Sequence, residues 1–504
     1  MATVAPQQLR TGRWSEAGLL VLAVAVGVAG YFLVGLSIEG SPPPHLLPVG
    51  ATLAAIGLVG HVVLRWRAPY ADPVLLPLVL GLNGIGLAMI YRIDYAIGES
   101  AGPRQLIWTA LGAGLAIAIL VVLRDHRMLR RFTYTSLVVS LVLLLLPMIP
   151  GLGQEINGAR LWIRVGGFSF QPAEIAKITL AVFFAGYLVA NRDVLTLAGP
   201  KILGLQLPRV RDMGPILLAW LASVAVLVFQ RDLGTSLLFF GLFVAMLYVA
   251  TDRFSWIVLG LGMFAVGVVV AVNTFGHVAA RFDVWLNALE PEVYNRHPGG
   301  SGQLVQGLFG LASGGLMGTG WGEGYPNLVP YSNSDFIIAS LGEELGLTGL
   351  LGILLTYLVI VQRALRTSIG VRDGFGKLLA SGLGFGIAFQ CFVVVGGVTR
   401  LIPLTGLTMP FLAAGGSAMI ANWIVLGLLL RISDAARRPA PVDQSVSDDT
   451  VLAVIGSPGT GGAEQPAGRS RPGAGRRGWR GQAGPAGRPD GGDGDDRPTE
   501  VVRP

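Results

Sequence analysis

The chain has 504 residues, 52% of them hydrophobic and 13% charged, with a formal net charge of +7. Soluble domains average about 25% charged residues, so an ordinary soluble fold is excluded, and a single cysteine, Cys391, excludes an intramolecular disulfide framework and a cysteine metal cluster. Mean hydropathy is +0.62, and the arginines gather in short loops and in the tail, which reads as membrane topology and not as nucleic-acid binding.

Apolar runs of about 20 residues, each long enough to cross a hydrocarbon core, predict about twelve membrane spans. In chain order they are Ala17–Ser37, Leu46–Leu64, Val74–Tyr91, Gln105–Leu123, Thr133–Pro150, Glu174–Ala190, Gly214–Phe229, Gly234–Ala250, Trp256–Asn273, Phe336–Val361, Leu378–Val398 and Pro410–Leu430. The run after Arg10-Thr11-Gly12-Arg13 has no small-residue cleavage site behind it, so it is expected to be an anchor helix. Arg65 and Arg67, then Arg124, Arg127, Arg130 and Arg131, then Arg192, Lys201, Arg209 and Arg211, then Arg253, then Arg363, Arg366, Arg372 and Lys377 fall in alternate loops. The positive-inside rule then places both termini in the cytoplasm. The loop after Thr133–Pro150, the long loop 274–334 and the loop 399–409 face outward. The tail from Ala435 is rich in Gly, Pro, Arg and Asp and is expected to be disordered. The organisation is therefore a cytoplasmic N-terminus (1–16), two leading spans (17–73), a helical core (74–434) with an extracytoplasmic loop (274–334), and a tail (435–504).

Chemistry concentrates at the outward edge. Asp335 stands in Pro330-Tyr331-Ser332-Asn333-Ser334-Asp335-Phe336, where a glycine-rich loop enters an apolar helix carrying Glu343 and Glu344. Ionisable groups at membrane depth are costly and read as functional. Glu174 and Lys177 lie at i and i+3, so on a helix they can pair and tolerate burial; a lysine there also suits a lipid diphosphate. Asp232, before Leu233-Gly234-Thr235, can cap a helix or contact substrate. Arg281 to Asn287 reads as a short interfacial helix that ends at Glu290-Pro291. The glycines from Gly299 to Gly322 let backbone approach a ligand closely. Arg400 can bind phosphate or extend to the interface.

These motifs resemble the SEDS family (shape, elongation, division, sporulation; FtsW/RodA/SpoVE), most closely its actinobacterial RodA-type branch. The matching residues are Asn157-Gly158-Ala159-Arg160-x-Trp162, Gln171-Pro172-Ala173-Glu174-x-x-Lys177, Asp232-Leu233-Gly234-Thr235, Ser313-Gly314-Gly315, Ser334-Asp335-Phe336, Gly342-Glu343-Glu344-x-Gly346, Pro410-Phe411 and Gly415-Gly416-Ser417. The likeness covers about Val74 to Arg431, and the chain departs from the family pattern at Arg231, Gly302, Asn333, Ala413 and Ala414. The resemblance implies an all-α, polytopic membrane bundle of about ten core spans preceded by two more. It implies an inverting peptidoglycan glycosyltransferase of the cytoplasmic membrane, acting in cell shape or division. Its substrates would be lipid II and the growing glycan strand, and its partner a class B penicillin-binding protein. The family's essential aspartate falls on Asp335, as general base. Substrate contacts are expected from Glu174, Lys177, Arg160, Trp162, Gln303, Gln306, Glu343, Glu344 and Arg400. The leaving diphosphate needs positive charge, from Lys177, Arg160, Arg400 or a divalent cation (Mg or Mn). A lipid II flippase and a non-catalytic scaffold remain open on the sequence.

Overall fold

The computed structural model describes residues 13–439, apart from 157–158, 166–167, 197–200, 203–204, 207–213, 215–220, 223, 226–227 and 229. Among the described residues, eleven helical segments are long and apolar enough to span a membrane. The expected span Gly214–Phe229 lies largely outside the described residues, as do Arg209, Arg211 and most of the tail.

The helices, in chain order, are α1 (Trp14–Glu39), α2 (Leu46–Arg67), α3 (Leu75–Ile97), α4 (Ala101–Val122), α5 (Thr133–Leu145), α6 (Ala173–Ala190), α7 (Arg192–Thr196), α8 (Leu233–Thr251), α9 (Ser255–Thr274), α10 (Gly276–Leu286), α11 (Pro291–Tyr294), α12 (Gly302–Gly314), α13 (Ile337–Gly370), α14 (Gly374–Val398) and α15 (Gly416–Arg437). Helices α3, α6 and α15 are the most enclosed, whereas α9 is apolar and largely uncovered. Without a hydrophobic driving force in lipid, small residues let helix backbones approach. The α1–α3 crossing shows this: a Cβ on Gly27 would stand 2.7 Å from the Gly84 Cα. At its start α1 is tied down by buried Arg13, whose Nη2 donates to the carbonyls of Ala68 (3.0 Å) and Ala71 (2.8 Å). Glu16 pairs with Arg13 and accepts from His61 Nδ1 at 2.9 Å.

Two features depart from the expected pattern. The loop after α5 folds into an antiparallel sheet of β1 (Gly153–Ile156), β2 (Ala159–Val165) and β3 (Phe168–Phe170). Part of the glycine-rich loop is helical as α12. Its glycines form one face against α13: Gly307 meets the Phe336 ring, and a Cβ on Gly314 would stand 2.1 Å from the Gly342 carbonyl oxygen. Residues i, i+3 and i+7 share a helix face, so Gly307, Gly310 and Gly314 were spaced for this close approach.

Helix α13 is broken at Gly346 (φ 68°, ψ −174°). Backbone from the loop after α12 fills the break. Thr319 N donates to Glu343 O (2.9 Å), Gly320 N to Glu344 O (3.0 Å), Leu347 N to Gly315 O (3.0 Å) and Thr348 N to Leu316 O (3.1 Å). Irregular backbone at membrane depth survives only when such partners satisfy it. The break leaves a short helix, 337–345, with Asp335 just before its start.

Candidate active site

Asp335 closes a tight turn. Phe336 N and Ser334 N donate to the Tyr331 carbonyl at 3.2 and 3.1 Å, and Ala414 N donates to Asn333 O at 2.8 Å. Phe336 is fully buried against Gly307. The turn is thus pinned by α12 on one side and by the segment before α15 on the other. The half-buried Asp335 carboxyl faces the loop between α14 and α15, where a Cβ on Gly406 would lie 3.6 Å from Asp335 Oδ2.

Arg281, on α10, is the cation nearest in effect. Its Nη1 donates to the carbonyls of Leu404 (3.1 Å) and Thr405 (3.2 Å). From there it attracts both Asp335 and Asp232. Asp232 caps α8: its Oδ1 accepts from Thr235 N at 2.9 Å and its Oδ2 from Thr235 Oγ1 at 2.6 Å. The capping alternative for Asp232 therefore holds, and the same residue also lies in the field of the site. Burial pushes the Asp335 carboxyl up to about 6; Asp232 adds to the rise, while Arg281 and the Ser334 hydroxyl oppose it. Burial also raises Asp232, against its Thr235 hydrogen bonds and Arg281, with Glu174 adding to the rise. A carboxyl with its ionisation near neutrality is suited to taking a proton.

A second polar cluster lies behind this one. Lys177 Nζ donates to Glu174 Oε2 (2.6 Å), Gln390 Oε1 (3.2 Å) and Asn422 Oδ1 (3.4 Å). All three acceptors are buried, and Asn422 Nδ2 has no hydrogen-bond partner among the described residues. Gln390 Nε2 donates to the Thr408 carbonyl at 2.8 Å. One loop therefore joins the clusters: residues 404–405 hold Arg281, Gly406 faces Asp335, and Thr408 meets Gln390.

Most of the other predicted site residues make hydrogen bonds or ion pairs within the chain. Glu344 accepts from Arg92 Nε and Gly322 N, each at 2.9 Å, and Glu343 accepts from Tyr325 N at 3.0 Å. Both carboxylates thus serve the loop that fills the Gly346 break. Arg400 donates to the Trp285 (2.7 Å) and Leu286 (2.6 Å) carbonyls at the end of α10. Arg160 pairs across the hairpin with exposed Glu155 at 3.1 Å, and half-buried Trp162 sits opposite Gln154. Asn157 and Gly158 lie outside the described residues. Gln303 Nε2 donates to the Pro330 carbonyl at 3.1 Å, and Gln306 is half-buried on the same helix. Among the described residues no group of three or more His, Cys, Asp and Glu could hold a metal ion.

Sequence reasoning did not single out Arg281, Gln390, Asn422 or Gly406. Gln390 and Asn422 carried a usable signal, because each interrupts an apolar span with a polar side chain. Gly406 carried none.

Comparison with known proteins identifies the family. The FtsW/RodA/SpoVE family model, described as cell cycle protein, matches residues 73–438. The chain is 47% identical to the peptidoglycan glycosyltransferase RodA of Mycobacterium tuberculosis (strain ATCC 25618 / H37Rv), over 86% of this chain and 92% of that one. It is 34% identical to the stage V sporulation protein E of Bacillus subtilis (strain 168), over 73% of this chain and 98% of that one. A chain of a peptidoglycan synthase complex, in which polymerization and crosslinking are structurally coordinated, superposes with TM-score 0.58 at 25% identity, over 73% of this chain and 99% of that one. This chain is a multi-pass membrane protein and belongs to the FtsW/RodA/SpoVE family.

Proposed function

We infer that this chain is a peptidoglycan glycosyltransferase that polymerises lipid II at the outer face of the cytoplasmic membrane, in cell-shape elongation or division, with both termini in the cytoplasm. The observation that carries the reading is Asp335. It is half-buried, raised to about 6, and balanced between Arg281 and Asp232, in a chain 47% identical to an enzyme of that name.

The acceptor's GlcNAc 4-hydroxyl gives its proton to an Asp335 oxygen as that hydroxyl oxygen attacks the donor's anomeric carbon. The carbon–oxygen bond to the diphosphate breaks, and undecaprenyl diphosphate leaves with the electron pair. A single displacement converts an α-linked donor into a β-1,4 product. Arg281 keeps the nearby carboxylate ionised before the transfer. Lys177 is the cation offered to the diphosphate. Glu174 holds it until then, and Asn422 Nδ2 is a further donor at the same place. The expected divalent cation, Mg or Mn, would be held mainly by diphosphate oxygens and water, since Mg²⁺ is usually bound through one or two carboxylates plus substrate phosphates.

The partner proposed is a class B penicillin-binding protein that cross-links the new strand. Support comes from the likeness to a chain of a peptidoglycan synthase complex.

The test is reconstitution. The purified chain, with its transpeptidase partner, is expected to make glycan from lipid II, and Asp335→Ala is expected to make none. Equal polymer from Asp335→Ala sinks the reading. Transbilayer movement of lipid II without polymer from the wild type would favour a flippase. Restored cell shape with Asp335→Ala would favour a scaffold.

A further inference from the structure

Helices α1 and α2 precede the family match, which begins at residue 73. They look like added anchors, yet α1 runs from the Arg13 tether at one end of the bundle to the glycine loop at the other. At that far end Ser37 Oγ donates to Glu323 Oε1 at 2.8 Å. Glu39 accepts from Tyr91 on α3 at 2.9 Å, and Tyr31 stacks on Tyr91 with centroids 4.6 Å apart. Gly30 leaves room for Trp321, whose ring lies 3.5 Å from where a Cβ would stand. Gly322, at φ +86°, passes so close that a Cβ there would meet Ser37 Oγ at 2.6 Å. The loop fits against this helix as tightly as backbone allows.

The same loop residues reach the break in α13. Gly322 N donates to Glu344 Oε2 at 2.9 Å, and Gly320 N donates to the Glu344 carbonyl at 3.0 Å. Residues 337–345, the short helix behind Asp335, are thus held at their far end by a loop that α1 holds in turn.

We propose that α1 is a strut that positions Asp335 through the loop 316–325, so that the extension before the family core sets the geometry of the catalytic turn. The proposal rests on the glycosyltransferase reading for its kinetic readout. Ser37 and Glu323 are positioning residues and touch no reacting atom. A shift of the base relative to the acceptor hydroxyl lowers turnover more than binding, because proton transfer needs hydrogen-bond reach.

The experiment uses the full chain with lipid II. Ser37→Ala and Glu323→Ala are each expected to lower kcat about two- to tenfold, the worth of one hydrogen bond, with KM changed less than about twofold. The double variant is expected to be no worse than either single one, since both remove one contact. Glu323→Gln keeps the acceptor oxygen and is expected to stay within about twofold of wild type. Hydrogen exchange at 316–325 and 331–336 is expected to quicken in Ser37→Ala while the thermal midpoint stays put. Unchanged exchange overturns the strut, and so does quickened exchange with unchanged kcat. Wild-type protein that makes no glycan defeats the glycosyltransferase reading instead, and exchange in the two segments then decides the strut alone.

Discussion

Asp335 faces Gly406: a Cβ on that glycine would lie 3.6 Å from Asp335 Oδ2, at a φ of +78°. The distance is ordinary contact, so a methyl fits; the backbone angle is what resists it. L-residues in the left-handed region cost about 1–2 kcal/mol. Gly406→Ala is expected to relieve that strain by shifting the loop, and with it the carbonyls of Leu404 and Thr405 that hold Arg281. Turnover should fall about tenfold or more, the scale of a sub-ångström misplacement of catalytic groups. Steady-state polymerisation by the purified variant checks this; wild-type turnover would show that the loop does not set the site.

The pH dependence follows from the same neighbours. Catalysis needs the ionised carboxylate, and Asp335 stands at about 6. Activity is expected to be half-maximal near that pH and to drop about tenfold per unit below it. Arg281→Met removes the opposing cation and should move the acid limb to higher pH. Asp232→Asn removes a like charge and should move it lower, while asparagine still caps α8. For the fold the sign is reversed: the native carboxyl binds its proton more tightly than the unfolded one, so its contribution to stability is full below about pH 4 and fades as pH rises through about 6. Rate profiles of the three proteins decide the matter, and coincident acid limbs would refute the assignment of this titration to Asp335.

Much of this was legible in the residues. Apolar runs gave the spans because lipid demands length and hydrophobicity and little else. Glu174 and Lys177 announced their pairing by helical spacing, and the structure places Lys177 Nζ 2.6 Å from Glu174 Oε2. Asp335 stood out as a charge at a span's edge. Arg281 did not, because its partners come from α8, the 404–406 loop and the turn before α13, all remote in sequence. Glu343 and Glu344 looked like substrate ligands for the opposite reason. Their spacing is local and conspicuous, but their actual partners, Arg92 and the amides of Gly322 and Tyr325, come from elsewhere in the chain. The small sheet of β1, β2 and β3 was hidden by the shortness of its strands between two long apolar runs.

Glu174 and Lys177 form an enclosed ion pair, so the two roles of Lys177 can be separated. Breaking a buried pair by removing one partner costs about 3–5 kcal/mol, because a charge is left behind. Lys177→Met alone is expected to destabilise the protein strongly. Glu174→Gln with Lys177→Met removes both charges and should recover most of the stability. If Lys177 serves the leaving diphosphate, the double variant folds but polymerises at least about tenfold more slowly. Thermal unfolding in detergent and polymerisation rates together check this; a stable and fully active double variant would leave Lys177 a purely structural role.

Arg400 was one candidate cation for the diphosphate, with extension to the interface as the alternative, and its hydrogen bonds point elsewhere. It stands just past the end of α14 with φ 59° and donates two hydrogen bonds to the last carbonyls of α10. Trp285 Nε1 returns a bond to the Arg400 carbonyl at 3.0 Å. A cation at a helix C-terminus satisfies orphan carbonyls and favours the dipole. The helix it closes is the one that carries Arg281. Arg400→Ala is therefore expected to cost about 1–3 kcal/mol of stability, the scale of hydrogen bonds to a charged group. Because loosening α10 moves Arg281 against Asp335, the acid limb should shift toward that of Arg281→Met, whereas KM for lipid II should rise less than about threefold, short of the loss of a charge-assisted phosphate contact. A large rise in KM at an unchanged acid limb would instead place Arg400 on the diphosphate.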